Sequence, residues 1–243
     1  MVVELTVLGA SGSYGSRHGA CSGYLVRTGE ANLWLDCGSG TLANLHEHLD
    51  PADLDAVVIT HEHPDHCVDI YGLHVLWRYT LERTGLPVFA PEGAEQRLGA
   101  LTSGWADAFE WRVIDPNRPD EVGDARLEFS RTAHPVPTYA TQVEAGGRRL
   151  VYTSDTGPEW EVSAFAPGAD LVLSEATYLH ADRRWNLHLS AREAGEGARR
   201  AEARALMVTH YWPGVDPSAS GEEAAAAFGG PVMLAHPHTV ATL

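Results

Sequence analysis

The run Thr60-His61-Glu62-His63-Pro64-Asp65-His66 places three histidines and an aspartate within six residues, directly behind the apolar stretch Ala56-Val57-Val58-Ile59. Histidine seldom clusters this tightly for packing alone, so these residue types point to a metal site. In an extended chain, side chains two positions apart share a side, which lets His61 and His63 grip one ion. Pro64 suits the first position of a helix, and the turn it opens aims Asp65 and His66 across a short gap at a second ion. Imidazole and carboxylate donors without thiolate suit Zn2+ first, with Mn2+ or Fe2+ as substitutes. A solvated histidine-rich loop is the alternative, and the position at a strand end argues against it.

Two divalent metal ions need more donors than one loop supplies. His134 follows the strand-like Leu127–Thr132, with Pro135 stiffening an extended approach, and is assigned to the first ion. Asp155 ends Leu150-Val151-Tyr152-Thr153-Ser154 and leads into a Gly-terminated turn, where a carboxylate with two oxygens can bridge both ions. His210 ends Leu206-Met207-Val208-Thr209 and is assigned to the second ion. Taken singly, each of these three reads equally well as a packed histidine or a turn aspartate. Together, in company with the loop after Thr60, they complete a ligand set.

The elements that must position this set are strands interrupted by helices. Strand-like runs are expected at Val3–Leu8, Gly23–Arg27, Asn32–Asp36, Ala56–Thr60 and Val88–Ala90, then at Arg126–Arg131, Ala140–Glu144, Arg149–Thr153, Leu171–Ser174, Ala205–Thr209 and Val232–Ala235. Helical periodicity marks Thr41–Leu49, Ile70–Arg83, Ala94–Leu101, Ala191–Arg204 and Glu222–Phe228. Meanders followed by helix-linked strands, then the same mixture again, fit two packed sheets with helices outside: an α+β or α/β four-layer αββα sandwich. No Pro/Ser-rich linker divides the chain, so 1–243 is expected to be a single domain.

Composition narrows the partners. With 17 basic and 33 acidic side chains the formal charge is −16, which opposes encounter with a polyanion and makes a folded RNA a poor candidate. Two cations in a cleft would still dominate the local field, so a small phosphorylated molecule fits. No stretch reaches membrane-spanning length and the start lacks a basic leader, so a soluble, cytoplasmic protein is expected. Cys21, Cys37 and Cys67 are too few for a disulfide scaffold and read as buried thiols, Cys67 included.

Beyond the metal-ligand loop, Leu35-Asp36-Cys37-Gly38, Thr153-Ser154-Asp155-Thr156, Ser174-Glu175-Ala176-Thr177, His188-Leu189-Ser190 and Thr209-His210 together resemble the metallo-β-lactamase fold superfamily. Within it, the chain is similar to the ribonuclease Z-like phosphodiesterase branch over nearly its whole length. The resemblance implies that fold and a metal-dependent hydrolase. It implies His61, His63 and His134 on one ion, Asp65, His66 and His210 on the other, and Asp155 bridging. It further implies a catalytic pairing of Glu175 with His188. Ribonuclease Z enzymes that process transfer RNA carry a protruding arm between the third histidine and the bridging aspartate. Here that span is taken up by a hairpin, Thr138–Glu144, a Gly146-Gly147 turn and Arg149–Thr153. The resemblance is thus to the armless relatives, including cyclic-nucleotide phosphodiesterases, whose opening Gly-rich segment Gly9-Ala10-Ser11-Gly12-Ser13 resembles. A strand rather than a helix follows that segment, so a structural turn is expected there rather than a phosphate cradle.

The expected reaction is hydrolysis of a small phosphodiester, a 3′,5′-cyclic nucleotide first. A water shared by two ions becomes available as hydroxide near neutral pH, with Asp65 orienting it. His188, partnered by Glu175, would protonate the leaving alkoxide. Alternatives are an endoribonuclease acting on RNA 3′ ends and a lactone or thioester hydrolase. Tyr178–Asn186 offers aromatic and basic groups for specificity, while Trp77, Tyr79 and Trp212 could line a pocket or pack in the core. His18, His46, His48, His74, His180, His236 and His238 have no comparable strand-end setting. A homodimer is compatible with the resemblance.

Overall fold

The computed structural model describes residues 2–17, 19–102 and 105–243; His18 lies outside the described residues. The described residues fold into two seven-stranded sheets. The first holds β1 (Glu4–Gly9), β2 (Gly23–Arg27), β3 (Asn32–Cys37), β4 (Ala56–Val58), β5 (Leu86–Ala90) and β6 (Phe109–Val113). The second holds β7 (Asp120–Val122), β8 (Ala125–Arg131), β9 (Tyr139–Ala145), β10 (Arg148–Tyr152), β11 (Leu171–Glu175), β12 (Leu206–Thr209) and β13 (Val232–Leu234). The last strand, β14 (Val240–Thr242), returns to the first sheet beside β1.

Each sheet is half antiparallel and half parallel. β1, β2 and β3 form a meander, after which β3 to β6 run parallel. β7 to β10 form a second meander, after which β10 to β13 run parallel. Gly146 and Gly147, at φ 57° and 75°, make the tight turn between β9 and β10, since both positions need the left-handed region a two-residue hairpin favours.

Alternation along β3 explains the layering. Leu33 and Leu35 join Leu127, Phe129 and Leu150 of the second sheet in one core. The intervening Trp34 joins a second core with Leu45, Ile70 and Leu73, on the helices Thr41–Leu45 and Ile70–Val75. On the opposite side the helix Ala191–Arg200 lays Ala191, Ala194 and Ala198 against β11 and β12. Its start is held by a capping box between Ser190 and Glu193. The four-layer sandwich expected from the sequence is what forms.

The strands absent from the sequence reading are β6, β7 and β14, and all three are sheet edges. An edge strand packs on fewer neighbours and carries a weaker apolar pattern, as in the exposed, buried, exposed order of β14. The helix Pro217–Phe228 begins earlier than the expected Glu222, with Asp216 capping it and Pro217 at its first position. No helix among the described residues is long and apolar enough to cross a membrane.

Candidate metal centre

Parallel strands all end at one rim, and that is where chemistry collects. β4 leads to His61, β8 to His134, β10 to Asp155, β11 closes on Glu175 and β12 leads to His210. Hydrogen bonds tie the two sheets together there: Ser154 Oγ donates to Thr60 Oγ1 at 2.7 Å, and Tyr152 Oη to Asp36 at 2.9 Å. Asp36, Ser154 and His210 all sit in the left-handed region, with φ between 52° and 56°. Non-glycine residues rarely adopt it; Asp36 makes a bulge near the end of β3, and Ser154 and His210 turn the chain just past β10 and β12.

The sequence-derived ligands converge in two groups. His61, His63, His134 and Asp155 form one, and Asp65, His66 and His210 the other, with donor atoms in each group within 4.8 Å of one another. In the first, His63 Nδ1 lies 3.1 Å from His61 Nε2 and 3.3 Å from His134 Nε2. Asp155 Oδ2 completes it, 3.6 Å from His61 Nε2 and 4.0 Å from His134 Nε2. In the second, His210 Nε2 is 3.4 Å and His66 Nε2 3.5 Å from Asp65 Oδ2. Asp155 Oδ1 reaches this group too, 3.3 Å from both imidazole nitrogens. The two oxygens of Asp155 therefore face different groups.

Donors around a tetrahedral ion bound at about 2.0–2.1 Å lie about 3.3 Å apart, which is the spacing seen in the second group. His66 Nε2 and Asp155 Oδ1 are moreover buried without a hydrogen-bond partner. Two unsatisfied buried acceptors facing each other are costly unless something positive sits between them. The residues fit divalent cations.

The remote ring nitrogens decide which atom is left to bind. Asp36 Oδ2 takes the Nδ1–H of His66 at 2.7 Å, and the Leu187 carbonyl takes that of His134 at 3.2 Å. Thr177 Oγ1 donates to Glu175 Oε2 at 2.6 Å, so it can only accept from His210 Nδ1, 2.9 Å away. Thr60 Oγ1 likewise donates to Asp36 and lies 3.2 Å from His61 Nδ1. Each of these rings thus turns a bare Nε2 toward the site.

Electrostatics agree with that picture. Burial, with His66 next, holds His61 well below the ordinary histidine range, so its lone pair is free. Burial works against ionised Asp155, yet His210, His66 and His188 outweigh it and keep the carboxylate charged. Burial also opposes charge on His66, but Asp155, Asp65 and Asp36 surround it and draw positive charge to it. Such surroundings favour a cation as much as a proton.

Glu175 and His188 meet beside this cradle. Glu175 Oε1 lies 3.2 Å from His188 Nδ1, and Asp155 Oδ2 3.8 Å from the same nitrogen. Burial disfavours the charged ring, but Glu175 and Asp155 prevail and lift the His188 pKa to about 9. Asp155, His188 and His210 are themselves close enough to form a third donor group. Asp65 Oδ2 accepts the Ser13 amide at 2.6 Å, and a Cβ on Gly12 would lie 2.9 Å from the His210 ring. The Gly9–Ser13 turn is therefore structural, as expected, but it is built directly onto the site. Cys67 is a buried thiol, pushed up to about 12 by burial, bonded to the Glu62 carbonyl. Trp77 packs into the core beneath the helices, and Tyr79 is exposed against His74, so neither joins the site.

Asp36, Thr60 and Thr177 are the site residues that sequence spacing did not assign. Asp36 is wholly buried and accepts from Thr60 N and Oγ1, His66 Nδ1 and Tyr152 Oη. The available signal was a carboxylate ending an otherwise apolar strand. Asp36→Asn puts an amide donor among those donors and should weaken metal binding about 10–100-fold, read by chelator competition. Unchanged affinity would detach Asp36 from the site.

A family model described as a beta-lactamase superfamily domain matches residues 31–211, which spans the whole ligand set. The chain belongs to the β-lactamase superfamily. Among superfamily relatives, it is 37% identical to the uncharacterized protein ML1173 of Mycobacterium leprae over 247 residues, covering 96% of this chain and 86% of that one. It is 32% identical to the probable metallo-hydrolase YhfI of Bacillus subtilis, covering 86% of each. The crystal structure of YhfI, a metallo-β-lactamase fold protein, superposes with a TM-score of 0.92 at 28% identity over 100% of both chains. A ribonuclease Z of Kineococcus radiotolerans is 31% identical, covering 96% of this chain and 93% of that one. That alignment runs over 293 residues against the 243 of this chain, so the ribonuclease Z carries stretches that this superfamily member lacks. The protein is a metal-dependent hydrolase of the metallo-β-lactamase fold.

Proposed function

We propose that residues 1–243 form one hydrolase domain with a two-ion centre, Zn2+ in both positions, that hydrolyses a small phosphodiester, a 3′,5′-cyclic nucleotide first. His61, His63 and His134 would hold one ion and Asp65, His66 and His210 the other, with Asp155 shared. When bound, two such ions supply Lewis acidity and lower the pKa of a water from about 15.7 toward neutrality.

The observation that carries the reading is the Glu175–His188 pair, set at 3.2 Å beside Asp155. A phosphodiester expels an alkoxide, which needs a proton, and a histidine kept charged by a buried carboxylate can supply it. Glu175 also receives the Thr156 amide at 2.6 Å and the Thr177 hydroxyl at 2.6 Å, so its orientation is held from three sides. Asp65, fixed by the Ser13 amide, is placed to accept a hydrogen bond from the attacking water.

Similarity to ribonuclease Z favours a second reading, cleavage at RNA 3′ ends. The formal charge of −16 and the hairpin that fills the span from His134 to Asp155 speak for the smaller substrate. Metal-loaded protein should hydrolyse cyclic AMP and bis(p-nitrophenyl) phosphate and leave precursor transfer RNA intact. Cleavage of the precursor that falls steeply with salt, without turnover of either small diester, would establish the second reading instead.

A further inference from the structure

Three separate segments bring aromatic rings together on the side of the centre where His188 and His210 stack, their centroids 5.4 Å apart. Trp212 is the hub. Tyr178 lies 5.8 Å from it and meets His188 edge-on at 6.2 Å. Trp185 approaches Trp212 at 6.4 Å, Tyr14 meets it edge-on at 6.4 Å, and the Arg184 guanidinium sits 5.6 Å from its centroid.

Large apolar side chains here remain in water: Tyr14 is 56% exposed and Trp185 52%. The segments that carry them are nonetheless anchored. Arg183 pairs with Glu193 at 2.7 Å, and the His180 amide donates to Glu223 at 2.9 Å, pinning the chain just before Arg184. On the other side, the Ser13 amide on Asp65 and the close seat of Gly12 on His210 fix the turn that presents Tyr14. The exposed rings thus hold a set position relative to the proposed centre, and a substrate need not order them on binding.

We infer that Trp212, Trp185, Tyr14 and Arg184 form a stacking wall that selects substrates bearing a flat heteroaromatic ring, a nucleobase of mononucleotide size. The inference rests on the phosphodiester reading above for the group that is cleaved. Ring faces and a guanidinium attract any base through dispersion and cation–π contact. The wall therefore distinguishes a base from no base, and contributes little to choosing between adenine and guanine. In an acidic protein, Arg184 also provides positive charge on the approach to the centre.

Binding decides the point independently of turnover. Calorimetry on the metal-loaded full chain should show AMP binding about tenfold more tightly than ribose 5-phosphate. Trp185→Ala, which removes an exposed indole, should erase most of that preference, and Trp212→Leu should do the same. Among active variants, the ratio of kcat/KM for cyclic AMP to that for a ring-free dialkyl phosphodiester, glycerophosphoethanolamine, should fall in parallel. Equal affinity of the parent for AMP and ribose 5-phosphate, or a preference that survives Trp185→Ala, would overturn the wall. Absence of phosphodiester cleavage with the binding preference intact would instead overturn the reaction while leaving the wall standing.

Discussion

Asp155→Asn is expected to lower phosphodiester turnover by about 10³-fold or more and to leave roughly one ion bound per chain. The two carboxylate oxygens face different donor groups, Oδ2 toward His61 and His134, Oδ1 toward His66 and His210. An amide keeps the shape but replaces one of those oxygens with an NH₂ that cannot donate a lone pair. It also removes the negative charge that balances several imidazoles in a buried setting. Elemental analysis together with turnover separates this from simple unfolding, which circular dichroism would reveal. Two ions retained with activity near that of the parent would overturn the proposal that Asp155 bridges them.

His188→Ala should cost about 10²–10⁴-fold in kcat on an alkoxide-leaving substrate while metal content stays the same. The loss should be smaller for bis(p-nitrophenyl) phosphate, because nitrophenolate departs without a proton. That contrast distinguishes a proton donor from a residue that merely shapes the site. A rate that depends on protonated His188 declines as pH rises past its pKa, so the alkaline limb of the profile should vanish in the variant. Glu175→Gln should move the same limb to lower pH, because Glu175 is the first group that raises the His188 pKa against burial. It should also disturb metal affinity, since Glu175 orders Thr177 and through it His210. Equal losses on both substrates would argue that His188 acts as a ligand or a packing group.

What could be read from sequence divides along physical lines. The buried strands announce themselves because each packs on both faces, as β3, β10 and β11 do, and the side chains at their ends follow the same logic. His61, His134, Asp155 and His210 were legible because a polar donor right after an apolar strand is conspicuous. The edge strands β6, β7 and β14 were not, since half their surroundings is solvent and short runs leave little pattern. Asp36 and Thr177 sit in motifs shared with the resembled family but had no visible role, because their partners His66 and His210 are distant in sequence and meet them only across the folded rim. The position of Tyr14 beside Trp212 was similarly hidden: nothing local in either segment signals the other.

The proposed reaction depends on two ions acting together on a phosphodiester. It is tested most directly by titrating Zn2+ into metal-free protein while bound ions per chain and cyclic AMP hydrolysis are followed on the same sample. Turnover should stay near background up to one ion per chain and rise as the second binds. Full turnover with a single ion bound, or none with two, would contradict it.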